Sequence, residues 1–314
     1  MHTPVVFIIF NRPEEASLVF AEIRKARPKK LFVIADGPRT PEEQSRCDAT
    51  RSIIDSIDWP CELFKNFSDF NLGCGKRISS GLDWVFSQVE EAIVLEDDCI
   101  PDQTFFPFCE EMLERYRNNT RVMHIAGTSM QEGNSRFNPK DSYYFSIIPN
   151  LWGWATWKRA WKLYDFDMKA WPKAKKEGSL IQWFANPAAY ERFSGVFDRY
   201  YKHEENNWDN QWVFACALNR ALCINPTLNL ITNIGFNDSG THFKGVKTPG
   251  DKMRHSITFP LLHPNIIAPD RSADSFKYRD TWGIDKKLHH RMLRPIKTLF
   301  PDLYWKFRNF FKLR

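Results

Sequence analysis

The sequence predicts an α/β fold in which a mostly parallel central sheet is flanked by helices. Three observations predict it. Apolar runs alternate with helical segments four times in the first hundred residues. The runs are continuous and rich in β-branched residues, as in strands buried on both faces. Clusters of Gly, Pro, Asp and Asn end most of them. In an open sheet of this kind, ligands bind outside the carboxyl ends of the strands.

Four strands are predicted in this first part. They are Val5–Phe10, Lys30–Ala35, Cys61–Phe67 and Ala92–Leu95. A helix should begin at Pro13, because Pro suits the first helical turn and the two acids after it suit the positive end of the helix dipole. Two more helices are expected, one from Thr40 to about Ile57 and one ending at Val89.

The pattern becomes less regular after residue 120. The sequence predicts helices at Phe105–Arg117, residues 187–202 and Trp208–Leu218, and strands at Val122–Ala126, Ala221–Pro226 and Leu228–Ile234. Asn150–Trp157 is interpreted as a Trp- and Gly-rich loop, and residues 244–285 show no clear periodicity. We therefore divide the chain into a first half, 1–140, a second half, 141–285, and a tail, 286–314.

Composition and charge exclude several classes of protein. The chain has 314 residues, of which 43% are hydrophobic and 26% charged, as in ordinary globular proteins. Its net charge is +6, but the tail holds nine Lys or Arg against one Asp, which leaves −2 for the rest. The main body is thus not expected to bind nucleic acid. Seven scattered Cys without a CxxC pair argue against a disulfide framework or a zinc site. With no signal-peptide or membrane-spanning pattern, we expect a cytoplasmic protein.

The most informative segment is Glu96-Asp97-Asp98, which directly follows the fourth predicted strand. Three adjacent carboxylates repel one another, so their placement makes sense if a hard divalent cation, carrying a diphosphate, is bound there. The alternative is a solvated acidic turn. Asn11-Arg12 and Asp36-Gly37 follow the first and second strands, so the three polar clusters should meet at one edge of the sheet.

Together these segments resemble the glycosyltransferases of the GT-A (Rossmann-like) fold, which use nucleotide-activated sugars. The resemblance spans about residues 4–245 and is strongest in the first hundred. The Glu-Asp-Asp motif is more similar to that of the animal N-acetylglucosaminyltransferase I group than to the motif of most bacterial family-two enzymes. The matching segments are Phe10-Asn11-Arg12-Pro13, Ala35-Asp36-Gly37, Asn71-Leu72-Gly73, Val94 to Asp98, Pro101-Asp102 with Phe105-Phe106, Gly153-Trp154 and Trp208-Asp209.

The resemblance implies a role for each of these segments. The first half would bind the nucleotide sugar, with a UDP-sugar as the expected donor, and the second half would bind the acceptor. Asp98 would hold Mn²⁺ or Mg²⁺, and Glu96 or Asp97 would face the ribose or the sugar. Asp36 would face the base and favour uracil, although Asp-Gly is also a common turn. The remaining donor-binding residues would be Phe10, Asn11, Arg12, Gly37, Asn71 and Gly73.

Four further residues have both a functional and a structural interpretation. Lys76 and Arg77 would approach the phosphates or the base, or would be solvated charges at a helix start. His242, in a polar loop, would complete the metal or diphosphate site, although a lone His is more often structural. Asp209 would be the general base of an inverting transfer. The alternatives are that it only caps its helix, or that Glu204 or Glu205 is the base.

The tryptophans near residue 154 and the basic tail are the last candidates. Trp152, Trp154 and Trp157 would stack on donor sugar or acceptor, or would pack in the core; Trp154 is favoured because Gly153 leaves space beside it. Residues 286–314 interleave basic and bulky apolar side chains, which suits the surface of an anionic membrane, although packing on the protein's own core is the alternative.

We therefore expect a metal-dependent, inverting glycosyltransferase that transfers sugar to a glycan or lipid-linked acceptor, with peripheral contact at the inner face of the cytoplasmic membrane. A nucleotidyltransferase is disfavoured, because Asn11 to Glu15 lacks the Gly-rich phosphate loop expected after its first strand. The other alternative is a non-catalytic carbohydrate-binding or membrane-associated protein on the same scaffold.

Overall fold

The structure is a computed structural model that describes residues 1–137, 139–235 and 253–284. The strands are β1 Val5–Ile9, β2 Lys30–Ala35, β3 Glu62–Phe67, β4 Glu91–Glu96, β5 Cys99–Pro101, β6 Val122–Ala126, β7 Tyr143–Ser146, β8 Trp154–Trp157, β9 Leu222–Pro226 and β10 Ile231–Asn233. The helices are α1 Pro13–Ala26, α2 Gln44–Ser52, α3 Cys74–Gln88, α4 Phe105–Tyr116, α5 Lys158–Trp161, α6 Trp171–Glu177, α7 Ile181–Phe184, α8 Pro187–Tyr201, α9 Asp209–Leu218 and α10 Arg271–Phe276.

Eight of the described strands form one central sheet in the order β3-β2-β1-β4-β8-β6-β9-β7. Neighbours β3, β2, β1 and β4 are parallel, whereas β8 and β7 run antiparallel to the strands beside them. The predicted fold class, an α/β fold with a mostly parallel sheet between helices, is confirmed. The prediction for Asn150–Trp157 as a loop is wrong, because its last four residues form β8 in the middle of the sheet.

The two faces of the sheet are covered by different helices. Alternate β1 residues face opposite sides: Val5 and Phe7 pack with the buried faces of α1 and α4, whereas Val6 packs with α3 and α9. This alternation is the period of two that a strand imposes on its side chains. A third apolar cluster joins α6, α7 and α8 to the outer face of α9. In the described part of the chain, no helix is long and apolar enough to cross a membrane.

The register of the parallel strands places the predicted polar clusters together. Ile8 of β1 is paired with Glu96 at the end of β4, and Ile9 with Ala35 at the end of β2. Residues 10–12, 36–37 and 96–98 therefore leave the sheet at the same edge. A separate two-stranded sheet pairs Cys99 of β5 with Asn233 of β10, which brings the chain after residue 230 to the same place.

Candidate active site

The three carboxylates at the end of β4 have different surroundings. Arg12, just before α1, donates from Nη1 to Asp98 Oδ2 at 3.0 Å and to Asp97 Oδ1 at 3.4 Å. The backbone N–H of Phe10 donates to the other Asp97 oxygen at 3.2 Å. Asp97 is thus buried against the end of β1, whereas Glu96 and Asp98 line an open cleft. Of the two residues expected to face the sugar or ribose, the structure places Glu96 at the cleft.

The cleft, which we call the donor cleft, has a volume of about 440 Å³. It brings Glu96 and Asp98 from the first half of the chain together with Asp209 from the second half. Trp152 and Glu205 also line it. Two parts of the candidate site that lie more than a hundred residues apart in the sequence therefore share one cavity: Glu96 with Asp98, and the expected base, Asp209.

Four acidic residues line the donor cleft, against one cationic residue, Arg12, among the described residues that line it. Burial raises the pKa of Glu96 well above its ordinary value, and the adjacent charges of Asp98 and Asp97 raise it further. Burial raises the pKa of Asp97 to about 7, although the Arg12 charge opposes this rise. Removal from water favours the neutral form of a carboxyl, and neighbouring like charges add to this effect. A cation bound here would favour the ionised form of these carboxyls, because its charge offsets both the loss of water and the repulsion between them.

Asp98 is positioned by the chain that returns after β10. Asn233 Nδ2 lies 3.3 Å from Asp98 Oδ1, and the backbone N–H of Ile234 donates to the Asp98 carbonyl at 2.8 Å. A Cβ added at Gly235 would lie 2.2 Å from Asp98 Oδ2, so only glycine leaves room for that carboxylate. Asn233 and Gly235 are not recognisable as site residues from the sequence, because nothing in their local pattern reveals the pairing of β10 with β5.

The donor set suits a hard divalent ion in type but supplies few ligands. Carboxylate oxygens are the ligands that Mg²⁺ and Mn²⁺ prefer, and Asp98 is 18% exposed in its side chain and borders the cleft. Among the residues that the structure describes, no three His, Cys, Asp or Glu groups converge as a metal site. A metal held by Asp98 would thus take other ligands from water and from the diphosphate it binds, as Mg²⁺ commonly does.

Asp209 begins α9 at the opposite wall of the cleft. Tyr200 donates its hydroxyl to Asp209 Oδ1 at 2.8 Å, and the backbone N–H of Asn210 donates to the same oxygen at 2.7 Å. Burial nevertheless raises the pKa of Asp209 above its ordinary value, because those hydrogen bonds only partly offset the loss of water. A carboxylate with a raised pKa is a stronger base.

The start of α3 is tied to the segment before α9. Asn206 Oδ1 accepts from the backbone N–H of Gly75 at 3.2 Å, and Cys74 Sγ lies 3.5 Å from Asn207 Oδ1. Gly73 has a φ of +80° and packs against the Asn206 side chain, where a Cβ would lie 2.4 Å from Nδ2. Gly73 therefore needs both the conformation and the small size of glycine. These contacts fix the distance between the two halves of the cleft.

Asp36 binds backbone in the structure. Its carboxylate accepts from the N–H groups of Gly37, Leu72 and Gly73 at 2.9–3.0 Å, and Asn71 Nδ2 donates to the Gly37 carbonyl at 2.8 Å. A Cβ at Gly37 would lie 2.5 Å from the Phe70 backbone. Asp36 thus holds the loops after β2 and β3 together, and its role toward a base stays a prediction.

The other residues expected to bind the donor differ in how exposed their side chains are. The half-buried ring of Phe10 lies under the Arg39 guanidinium at 5.2 Å, and Asn11 Nδ2 donates to Glu43 at 3.1 Å. Lys76 is exposed. The alternative that Arg77 is a solvated charge is wrong, because its side chain is buried and donates to the carbonyl and side-chain oxygen of Asn66 at 2.7 and 2.6 Å. Its role toward the phosphates or the base stays a prediction.

Trp154 does not offer a ring face to a sugar. It is 0% exposed and stacks between Trp208 and His124, with ring centroids 5.4 and 5.3 Å away. The prediction of Trp154 as a stacking surface is therefore wrong, since a residue of β8 in a sheet covered on both faces has no path to the cleft. Trp157 is also buried, and Trp152, before the strand, lines the cleft instead.

Two predictions lie outside the described residues. These are His242 as a metal or diphosphate ligand and residues 286–314 as a membrane-binding tail.

Comparison with known proteins finds distant structural similarities and no match in sequence. No family model and no curated protein matches the sequence. The galactosyltransferase LgtC with donor and acceptor sugar analogues is 10% identical, with a TM-score of 0.34 over 68% of this chain and 70% of that one. UDP-glucose pyrophosphorylase with UDP-glucose is 10% identical, with a TM-score of 0.37 over 72% and 91%. Mouse xyloside xylosyltransferase 1 is 10% identical, with a TM-score of 0.33 over 69% and 81%.

These TM-scores lie below 0.5, so the overlaps assign neither an activity nor a substrate to this chain. Its strand order and register define a mixed α/β fold on their own.

Proposed function

We propose that the protein is a metal-dependent glycosyltransferase of the GT-A type, which transfers a sugar from a nucleoside-diphosphate sugar to a hydroxyl group. The observation that carries the proposal is the donor cleft, in which Asp98 and Glu96 at the end of β4 lie opposite Asp209 at the start of α9. A cation-binding carboxylate and a separate, more basic carboxylate are the two groups that such a reaction requires.

In the proposed reaction, Asp209 takes the proton of the acceptor hydroxyl as its oxygen bonds to the anomeric carbon. The bond from that carbon to the diphosphate breaks, and the diphosphate leaves with the electron pair. Asp98 would hold Mn²⁺ or Mg²⁺, which supplies Lewis-acid stabilisation of the charge on the leaving group. Arg12, ion-paired with Asp98, adds positive charge beside it. Attack from the Asp209 side, opposite the leaving group, would invert the anomeric centre.

The donor is proposed to be a UDP-sugar, and the acceptor a glycan or a lipid-linked glycan. The sequence supports the second form of acceptor, because residues 286–314 carry nine Lys or Arg among bulky apolar side chains. Such a segment would hold the enzyme at the surface of an anionic membrane. Sedimentation with phosphatidylglycerol vesicles should retain the full chain and lose a variant truncated at residue 285. Equal sedimentation of both would remove this part of the proposal.

The enzyme assignment is tested by donor binding and by donor turnover. A panel of UDP-sugars, with and without Mn²⁺, should contain one that raises the melting temperature only when the metal is present. Release of UDP from that donor should require Mn²⁺ as well. Asp98→Asn should lose both effects, whereas Asp48→Asn, at an exposed position on α2, should retain them. Binding of a sugar without any release of UDP would favour a non-catalytic carbohydrate-binding protein.

A further inference from the structure

A second cavity lies beyond Asp209, and we call it the distal cavity. Its volume is about 680 Å³, and it shares Leu151, Trp152, Tyr200, Glu205 and Asp209 with the donor cleft. The two cavities therefore meet at the proposed base. If the donor occupies the acid-lined side, an acceptor hydroxyl has to reach Asp209 from this other side. The walls of the distal cavity are thus those that would select the acceptor.

Much of the wall of the distal cavity is apolar. The apolar side chains that line it come from the segments before β8, from α8, from α9 and from the chain after α10, and they are Met130, Ile148, Pro149, Leu151, Trp152, Phe193, Val196, Val213 and Trp282. Met130, Ile148, Phe193 and Val213 belong to its most buried part, because none of them is more than 8% exposed. Apolar surface of this kind is stabilised when an apolar group of a ligand covers it.

The charged side chains around the distal cavity balance one another. Its described lining residues include three cations, Arg192, Arg199 and Lys277, and two acids, Glu205 and Asp209. Arg199 is ion-paired with Glu205 at 2.9 Å. Asp209, which has to be ionised to act as the base, offsets the exposed Arg192 in the total charge. The remaining cation is Lys277.

Lys277, which is only 4% exposed, has its counter-charge in the buried Asp274. Lys277 begins a π-helical turn, Lys277–Thr281, and its ammonium donates to Asn150 Oδ1. Burial raises the pKa of Asp274 to about 6, although the Ser146 hydroxyl and the Lys277 charge oppose the rise. At neutral pH the Asp274 carboxylate is therefore mostly ionised and balances Lys277. With Asp274 included, three acids face three cations among the described residues, so the site offers a charged ligand no net attraction.

Polar side chains in the buried part of the wall already bond to other groups of the protein. Asn150 donates from Nδ2 to the Thr128 carbonyl at 3.0 Å and accepts from Lys277. Asn210 donates from Nδ2 to Asp209 Oδ1 at 3.0 Å. A sugar ring in this part would give up hydrogen bonds to water, and each of its hydroxyl groups that found no partner would weaken binding. An apolar group has no such bonds to lose.

We propose that the acceptor is a neutral glycoside whose apolar aglycone, an alkyl or acyl chain, occupies the distal cavity. Its sugar ring would lie at the border with the donor cleft, beside Trp152, with the accepting hydroxyl at Asp209. The balanced charge disfavours an aglycone that is joined to the sugar through phosphate or diphosphate. This inference rests on the proposed function for the identity of the donor side, but the apolar site itself does not depend on turnover.

The test compares glycosides that differ only in their aglycone, by titration calorimetry with the full-length protein. Methyl, propyl and hexyl β-D-glucosides and β-D-galactosides are used below the concentrations at which they form micelles. Each buried methylene should strengthen binding about fourfold. The hexyl glycoside of at least one sugar should therefore bind at least about tenfold more tightly than its methyl counterpart. The 5-carboxypentyl glycosides, which place a carboxylate at the end of a similar chain, should lose this gain.

Variants locate the gain. Val196→Asn, at a half-buried position on α8, should remove most of it, and Val213→Thr, which keeps the shape of a buried side chain on α9, should reduce it severalfold. Leu18→Asn, at an exposed position on α1, is the matched control and should leave it unchanged. Equal binding of methyl and hexyl glycosides, no binding of any glycoside, tighter binding of a carboxypentyl than of a hexyl glycoside, or a gain that survives both Val196→Asn and Val213→Thr would overturn the proposal.

A parallel titration of the wild-type protein with UDP and Mn²⁺ separates this inference from the proposed function. If no UDP binds but affinity still rises with chain length and falls in Val196→Asn, the glycosyltransferase assignment fails and the apolar site stands. If UDP binds and chain length has no effect, the reverse holds.

Discussion

The donor cleft and the distal cavity, a second cavity of about 680 Å³ beyond Asp209, share a wall but differ in the origin of their charged residues. The donor cleft takes its acids from a turn at the end of a parallel strand, a position that the sequence pattern revealed. The distal cavity takes its cations from α8 and from the π-helical turn after α10, which have no recognisable motif. Asp209 lies on the border that the two cavities share. Substitutions at this border, in the walls of the two cavities and in the residues packed behind those walls test whether the two cavities act separately.

The largest effect, a loss of turnover, is expected for Asp209, on the border between the donor cleft and the distal cavity. Asp209→Asn should lower turnover by about a thousandfold, because general-base catalysis contributes roughly 10²–10⁴-fold. Asparagine Oδ1 still accepts from the Tyr200 hydroxyl and the Asn210 N–H, so the fold and the affinity for UDP with Mn²⁺ should not change. Single-turnover kinetics with isothermal titration would measure both. A loss below tenfold would assign the base to Glu204 or Glu205.

The two tryptophans at residues 152 and 154 should separate structure from ligand binding. Trp154→Ala should lower the free energy of unfolding by about 3–5 kcal/mol, because it empties a fully buried site between the sheet and α9. Trp152→Ala should cost far less stability, and should weaken sugar binding instead. Urea unfolding of both variants, with ligand titration, would check this. Similar stability losses would contradict the assigned placements.

The packing around Asp98 can be altered at Gly235 without replacing a charged residue. Gly235→Ala places a Cβ against Asp98 Oδ2, so the carboxylate must move. Affinity for UDP with Mn²⁺ should fall about 10- to 100-fold, as when the support of a metal ligand is altered. Gly195→Ala, where nothing lies within 4 Å of the added Cβ, is the matched control. Titration calorimetry would compare them, and equal affinities would show that Asp98 does not hold the metal.

The smallest expected effect is on the pH dependence of stability, and it concerns Asp274, a buried residue of α10. Burial raises the pKa of Asp274 to about 6, although the Ser146 hydroxyl, which donates at 2.5 Å, and the charges of Lys277 and Arg271 oppose the rise. The folded chain thus holds a proton on Asp274 at pH values where the unfolded chain has released it. This contribution to stability is greatest below about pH 4 and is lost as the pH rises to about 6.

Asp274→Asn removes that titration. Melting temperature measured from pH 4 to pH 6.5 should therefore fall less steeply with pH in the variant than in the wild type. Glu96, Asp97 and Asp209 titrate with the same sign in both proteins and cancel in the difference. Parallel curves would show that Asp274 is ionised throughout this range.

The sequence predicted the parallel half of the fold because each strand there is a continuous apolar run followed by polar residues. It did not predict β8, since Trp154-Ala-Thr-Trp157 is too short and too aromatic to distinguish from a loop by its period. At the donor cleft, Asp98, Glu96 and Asp209 were selected by their residue type and neighbours. Asn233, Gly235 and Lys277 were not, because their roles arise from pairings across more than a hundred residues, which a local pattern does not contain.

The position of β8 has a consequence for how the chain is made. Its four residues close the hydrogen-bonding edge of β4, a strand completed some sixty residues earlier. Until Trp157 has left the ribosome, β4 presents an open, apolar border on which a second nascent chain could assemble. A fragment that ends near residue 140 should therefore aggregate during expression, whereas one that continues through α9 should be far less prone to do so.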